Sequence, residues 1–133
     1  MTSRVLYIGD LRTTSTHIQS GSEIISDAPI DNNGKGQAFS PTDTVANALG
    51  SCMMTIMGIK ARDLNINLIG STAIVTKTMQ SDPRRIAAIE IHFEMVGSII
   101  EKERTILERS AMTCPVFFSL HPEIKKIISF DWK

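Results

Sequence analysis

Residues 40–62 read SPTDTVANALGSCMMTIMGIKAR, and this stretch decides the fold. Its start is typical of a helix N-terminus. Ser40 suits the N-cap, Pro41 suits the first helical position, and Asp43 suits the third, where a carboxylate faces free backbone amides. The stretch predicts a helix of about 22 residues, about 33 Å long. Its middle, residues 48–59, carries no charge on any face, and a helix that is apolar all round is buried on all sides. In a chain of 133 residues, such burial requires a sheet, a second subunit, or both.

Strands and shorter helices are predicted on both sides of this helix. In chain order they are strands within residues 4–27 with a turn at 20–22, an irregular loop over 28–39, strands over 66–80 and 86–96, an amphipathic helix over 99–110, a short helix from Pro115 to Leu120, and a strand from Ile124 to Trp132. The alternation is clearest at Ile89, Ile91 and Phe93, which predicts a half-buried strand. This order of elements predicts the α+β class, in a single domain over residues 1–133.

The charge balance argues against several classes of function. Lys plus Arg and Asp plus Glu number 14 each, so the net charge is zero and nothing favours nucleic acid or an anionic membrane as a partner. Residues 1–7 lack the apolar run of a signal peptide, and no apolar stretch reaches the roughly 18 residues of a membrane-spanning helix. We therefore expect a soluble, cytoplasmic protein. Thiols are kept reduced in that compartment, so a cysteine pair there is catalytic, redox-sensing or inert rather than a permanent cross-link.

The chain has two cysteines, Cys52 and Cys114. Free cysteine is often just a small buried hydrophobic residue, so their number alone favours two inert thiols. Their surroundings favour redox chemistry. Cys52 lies in the uncharged part of the predicted helix beside Gly50 and Ser51, which are small enough to let another element approach. Cys114 precedes Pro115 at a predicted helix start, where backbone amides lower the pKa of a thiol. Peroxide reduction needs such a pair: an attacking thiolate and a second thiol that resolves the sulfenic acid.

Metal binding is the main alternative for these residue types. The chain has no Cys-x-x-Cys motif, and His17, His92 and His121 are scattered without the spacing of metal ligands. A Cys-Cys-His site assembled by the fold stays open at this point. We expect no metal and no other cofactor.

Several short motifs occur in a fixed order along almost the whole chain. They are Gly9-Asp10-Leu11-Arg12-Thr13-Thr14, Ser26-Asp27-Ala28-Pro29 with Asn32 and Gly34-Lys35-Gly36, Phe39-Ser40-Pro41-Thr42-Asp43, Ala48-Leu49-Gly50-Ser51-Cys52 with Met57-Gly58-Ile59, and Cys114-Pro115-Val116. Each motif alone is weak evidence, but the ordered set resembles the OsmC/Ohr family, named for osmotically inducible protein C and organic hydroperoxide resistance protein. The likeness is greatest to its OsmC-like branch.

The resemblance implies a fold, an activity and a set of site residues. The family fold is an intertwined α+β homodimer in which antiparallel sheets enclose two central helices that carry cysteines. Family enzymes reduce organic hydroperoxides, and hydrogen peroxide less well, with an external thiol or dithiol as the reductant. By position, Cys52 matches the attacking cysteine and Cys114 the resolving one. Arg12, which precedes the Gly21 turn as the motif requires, matches the arginine that pairs with the thiolate.

The carboxylate that would hold Arg12 has two interpretations. In the Ohr branch a glutamate occupies the position of Thr42, whereas Asp43 matches the acidic position of the OsmC-like branch. On a straight helix, Asp43 would lie about 13 Å along the axis from Cys52 and on the opposite side, so helix capping is its alternative role. The resemblance thus predicts a thiol-dependent peroxidase with Cys52, Cys114, Arg12 and Asp43 as catalytic residues. A non-enzymatic redox sensor or small-molecule-binding dimer of the same fold is the alternative.

Overall fold

The computed structural model describes residues 1–133, which form two compact units, residues 1–45 and residues 46–133. The elements are β1 (Ser3–Gly9), β2 (Arg12–His17), β3 (Glu23–Asp27), a short 3₁₀ helix (Ile30–Asn32), α1 (Pro41–Asp63), β4 (Thr72–Gln80), β5 (Arg85–Met95), α2 (Glu101–Ala111), α3 (Pro115–Ser119) and β6 (Lys125–Trp132). The predicted α+β class is confirmed. That the whole chain is a single domain stays a prediction. No helix combines the length and the apolarity that crossing a membrane would demand.

Residues 1–45 contain an antiparallel sheet with the strand order β1–β2–β3. Gly21 lies in the turn between β2 and β3 with a φ of 73°, a conformation that a residue with a Cβ atom rarely adopts. The register of β2 and β3 pairs Arg12 directly with Asp27. Side chains of directly opposite residues point to the same face of a sheet, so this register brings the guanidinium and the carboxylate together.

The start of α1 is a capping box. The Ser40 hydroxyl accepts a hydrogen bond from the Asp43 backbone N–H, and the Asp43 carboxylate accepts one from the Ser40 backbone N–H, both at 3.0 Å. The two bonds satisfy two backbone amides reciprocally, with aspartate in the place that glutamate usually takes. The helix therefore starts at Pro41 as predicted and ends at Asp63 rather than at Arg62.

Residues 46–133 pack α1 against a mixed sheet with the strand order β4–β5–β6. β4 and β5 are antiparallel, whereas β5 and β6 are parallel because α2 and α3 form the long connection that a parallel pair needs. Ile89, Ile91 and Phe93 of β5 are fully buried, as their alternation predicts. Gly50 lets α1 approach the sheet closely, since a Cβ atom there would lie 3.0 Å from a methyl group of Val75.

One prediction about this unit is wrong. β4 begins at Thr72 rather than at residue 66, because Gly70 has a φ of 94° and the Ser71 N–H turns back to the Leu68 carbonyl. The burial of α1 by a sheet, a second subunit or both stays a prediction, because its own chain buries only one side. Its buried residues lie on one side, Ala46, Leu49, Gly50, Met53, Met57 and Ala61. Ile59 is 52% exposed, because one sheet covers only one face of a helix.

Candidate active site

Cys52 lies at the edge of the buried face of α1. Leu49, Met53 and Met57 recur at a spacing of four residues, so they stack on one side of the helix and form the centre of the core. Cys52 is beside this row, half-buried, and packs against the core. The Cys52 side chain therefore contacts the core but stays partly exposed to solvent.

Cys114 is fully buried and is the N-cap of α3. Its sulfur accepts a hydrogen bond from the Phe117 backbone N–H at 3.2 Å. Its own N–H bonds to the carbonyl of Ala111 at the end of α2, at 3.3 Å. Pro115 at the first helical position has no N–H to satisfy. The turn between α2 and α3 thus fixes the backbone of Cys114, and the first turn of α3 holds its sulfur.

The thiols of Cys52 and Cys114 lie side by side. Cys52 packs against the core cluster that contains Cys114, and the two side chains are close enough that Cys52 raises the pKa of the Cys114 thiol. Both cysteines are free rather than linked in a disulfide. The fold therefore brings two sequence-distant thiols into contact, which is the arrangement that resolution of a sulfenic acid requires.

Burial raises the pKa of the Cys114 thiol above its usual value. Hydrogen bonds from the backbone N–H groups of Phe117 and Val116 lower that pKa, and the neighbouring Cys52 raises it further. The expectation that a helix start lowers the pKa of Cys114 is therefore wrong, because burial outweighs the two amides. Cys114 keeps its proton at neutral pH, while the half-buried Cys52 is the thiol that a solute can reach.

The raised pKa of Cys114 predicts a loss of stability at alkaline pH. A thiol whose folded-state pKa is raised contributes stability that is present below the unfolded value of about 8.5 and is lost as the pH rises through the folded value. We expect the free energy of unfolding of the reduced protein to fall more between about pH 7.5 and about pH 10 than that of Cys114→Ala. Urea unfolding at both pH values measures this, and equal falls in the two proteins would contradict it.

Arg12 forms an ion pair with Asp27 in the unit of residues 1–45. Its Nε donates to Asp27 Oδ1 at 2.6 Å and its Nη2 donates to Asp27 Oδ2 at 2.9 Å. Asp27 is only 2% exposed and also accepts the backbone N–H of Gln37 at 3.1 Å. The hydrogen bond from Arg12 holds the pKa of the Asp27 carboxyl below its usual range, and Asp27 in turn raises the pKa of Arg12. Asp27 is therefore ionised at neutral pH.

Asp27 is a partner of Arg12 that the sequence alone does not indicate. The sequence assigns the carboxylate partner of Arg12 to Asp43, which the structure places in the capping box of α1. The signal that could have found Asp27 is the hairpin register, because the turn at Gly21 sets Arg12 opposite Asp27. A catalytic role for Asp43 itself stays a prediction.

Comparison with known proteins agrees with this geometry. Residues 34–129 match the family described as OsmC-like protein. The chain belongs to the OsmC-like protein family. The resemblance read from the ordered motifs is thereby confirmed, and so is the OsmC-like fold.

Solved structures share the fold of this OsmC-like chain over almost its full length. A protein from Psychrobacter arcticus 273-4, named for osmotic stress induction and a detoxification response, is 50% identical; the match covers 98% of this chain and 96% of that one, with a TM-score of 0.95. An organic hydroperoxide resistance protein OsmC from Legionella pneumophila is 16% identical over 98% and 97% of the two chains, with a TM-score of 0.76. An organic hydroperoxide resistance protein from Elizabethkingia anophelis is 14% identical over 100% and 97%, with a TM-score of 0.75. The comparison with curated proteins gave no match.

The histidines of this OsmC-like chain have local partners. His92 shares a hydrogen bond of 2.8 Å with the Ser129 hydroxyl, and His121 accepts the backbone N–H of Glu123 at 3.1 Å. No group of three or more His, Cys, Asp or Glu side chains is arranged to hold a metal ion.

Proposed function

We propose that this OsmC-like protein is a thiol-dependent peroxidase that reduces organic hydroperoxides, and hydrogen peroxide less well. The observation that carries the proposal is the contact between Cys52, which is half-buried, and Cys114, which is fully buried and has a raised pKa. An attacking thiol must be reachable, and a resolving thiol must lie next to it. Two of the similar structures are named organic hydroperoxide resistance proteins, which supports this substrate class.

The reaction proceeds in two steps followed by reduction. The Cys52 thiolate attacks the terminal oxygen of the hydroperoxide, the O–O bond breaks, and the alkoxide takes up a proton and leaves as an alcohol. Cys52 is then a sulfenic acid. The sulfur of Cys114 attacks the sulfur of Cys52, and the thiol proton and the sulfenic hydroxyl leave as water. An external thiol or dithiol reduces the resulting disulfide by exchange and restores both thiols.

We assign Arg12 the task of stabilising the Cys52 thiolate and orienting the peroxide. A guanidinium keeps its charge at every physiological pH and presents several N–H donors in one plane. The bonds to Asp27 and Gln37 occupy Nε and Nη2, which leaves the N–H groups of Nη1 for an anion or a peroxide oxygen. Hydrogen bonds from a charged donor to an oxyanion are among the strong ones in proteins.

We propose that the active form is a homodimer. In the sheet of residues 1–45, large apolar side chains are mostly exposed: Val5 63%, Leu6 60%, Tyr7 63% and Ile24 61%. Large apolar side chains exposed in this number in one small sheet indicate an interface, and a second copy would cover them together with the charge-free side of α1. Sedimentation equilibrium should give twice the mass of one chain, and a monomer at all concentrations would contradict the proposal.

Steady-state turnover tests the proposed activity. Reduced protein is mixed with cumene hydroperoxide and an excess of dithiothreitol, and peroxide loss is followed. We expect consumption to continue over many equivalents per chain and to stop after one equivalent when the dithiol is omitted. A single oxidation without turnover, despite the dithiol, would indicate a redox sensor. No oxidation at all would indicate inert thiols, and either result would contradict the peroxidase.

A further inference from the structure

The two sulfurs of the cysteine pair differ in their access to solvent. Cys114 has no exposed surface, and its backbone is held by the bond from its own N–H to the carbonyl of Ala111. Cys52 lies beside it and is half-buried. A thiolate that reduces a disulfide must reach one of the two sulfurs, so access decides which sulfur it attacks. In a disulfide between these two residues, the sulfur of Cys52 is the one open to a reductant.

The sulfur of Cys114 lies where a departing thiolate can be received. Cys114 is the N-cap of α3, and its sulfur accepts the backbone N–H of Phe117 at 3.2 Å. This contact is present in the protein with free thiols, which is the product of disulfide reduction. Hydrogen bonds to ionised acceptors are about twice as strong as those between neutral groups. The bond from Phe117 therefore strengthens as negative charge develops on the sulfur.

Burial opposes the development of that charge. It raises the pKa of the Cys114 thiol, whereas the N–H groups of Phe117 and Val116 lower that pKa. A thiol of high pKa leaves a disulfide slowly. The N–H of Phe117 thus offsets part of the effect of burial, and without it Cys114 would be a poorer leaving group.

We propose that the reductant attacks the sulfur of Cys52, that Cys114 leaves as the thiolate, and that the backbone N–H of Phe117 is a catalytic group that stabilises this thiolate. The proposal rests on the peroxidase function argued above, in which disulfide reduction closes the cycle. It adds a residue of α3 to the reacting groups and gives Cys52 a second role.

The atoms and electrons balance over two exchanges when the reductant is a dithiol. A thiolate of the reductant attacks Sγ of Cys52, the S–S bond breaks, and the electron pair passes to Sγ of Cys114, which takes up a proton from water. The reductant is then joined to Cys52 in a mixed disulfide. Its second thiolate attacks its own sulfur in that bond, Cys52 is released as a thiolate, and the reductant leaves as a disulfide. Cys52 is thus the nucleophile toward peroxide and the electrophile toward the reductant.

Trapping of the mixed disulfide tests which sulfur is attacked. The disulfide is formed with diamide, a thiol oxidant that is not a hydroperoxide, and is treated briefly with mercaptoethanol. The reaction is quenched with acid, free thiols are alkylated with N-ethylmaleimide, and the peptides are mapped by mass spectrometry. We expect mercaptoethanol on Cys52 and maleimide on Cys114 in nearly all trapped chains. Mercaptoethanol on Cys114, or equal amounts on both residues, would overturn the proposal.

Removal of one backbone N–H tests the role of Phe117. Residues 1–113 can be joined by native chemical ligation at Cys114 to a synthetic peptide of residues 114–133, in which an ester oxygen replaces the N–H of Phe117. We expect dithiothreitol to reduce the disulfide of this protein about 10-fold more slowly, the effect of losing one hydrogen bond to a charged group. Oxidation of Cys52 by the first equivalent of cumene hydroperoxide should keep its rate, because Cys114 is not the leaving group in that step.

An ester at Phe118 is the matched control. It removes one backbone N–H from the same short helix, but that N–H bonds to the carbonyl of Cys114 at 3.4 Å and not to its sulfur. Its disulfide should be reduced at the rate of the ligated chain without an ester. Equal rates for the Phe117 and Phe118 esters would overturn the role of Phe117.

The outcomes distinguish this inference from the proposed function. If the wild type does not consume hydroperoxide but the adduct forms on Cys52, the peroxidase function fails and the assignment of the attacked sulfur stands. If hydroperoxide is consumed and the adduct forms on Cys114, the inference alone is overturned. Should the Phe117 ester fail to fold, trapping on the wild type still decides, because an adduct on Cys114 would remove the leaving group that Phe117 is proposed to stabilise.

Discussion

Replacing Cys52 with serine should lower the rate of hydroperoxide reduction at least about a thousandfold, because loss of a nucleophile removes the step on which all later chemistry depends. A serine hydroxyl is scarcely ionised at neutral pH and is a poor nucleophile toward peroxide oxygen. The exchange of sulfur for oxygen at a half-buried position leaves the helix intact, so the loss would be chemical rather than structural. The assay is peroxide consumption in the presence of excess dithiothreitol.

Cys114→Ser is the matched control for this experiment. That variant keeps the attacking thiol, so Cys52 should still be oxidised by the first equivalent of hydroperoxide. Its sulfenic acid should then accumulate and react with dimedone, because the neighbouring thiol that would resolve it is absent. Peroxide consumption by Cys52→Ser at the wild-type rate would contradict the assignment of the attacking cysteine.

Replacing Phe93 with alanine should lower the free energy of unfolding by about 3–5 kcal/mol. Phe93 is fully buried in β5, the central strand of its sheet, and its ring stacks on Phe130 with the centroids 5.0 Å apart. Alanine would remove the stacked ring and leave a cavity beneath α1, the helix that carries Cys52. Urea unfolding of the reduced protein measures the change.

Phe93→Leu is the control, since it keeps most of the buried volume at the same position. It should cost less than about 1.5 kcal/mol. A loss below about 1 kcal/mol for Phe93→Ala would mean that Phe93 is not part of a tightly packed core.

Those parts of the fold that depend on neighbouring residues were predictable from the sequence. The start of α1 follows from Ser40 and Asp43, whose side chains accept each other's backbone N–H, with Pro41 at the first helical position. The burial of Phe93 follows from a period of two along β5. Both features are visible in the sequence, because the residues that produce the helix start and the buried strand face are close together in the chain.

The features that were missed or wrong depend on tertiary structure. The helix-start rule for Cys114 is local, but its pKa is governed by burial, which the sequence does not give. The pairing of Arg12 with Asp27 depends on the register of a hairpin, and a shift of one residue would have placed them on opposite faces. The charge-free middle of α1 indicates that it is covered, but the pattern does not say that its own chain covers only one side.

The central claim is that Cys52 and Cys114 act as one redox pair within a chain, and a single oxidation tests it most directly. Reduced protein is treated with one equivalent of cumene hydroperoxide, the remaining thiols are alkylated, and the peptides are mapped by mass spectrometry. The account predicts an intrachain disulfide between Cys52 and Cys114, with both thiols lost and the chain lighter by two hydrogen atoms. The claim would be contradicted if Cys114 of the wild type can still be alkylated after Cys52 has been oxidised. It would also be contradicted if both thiols survive the treatment.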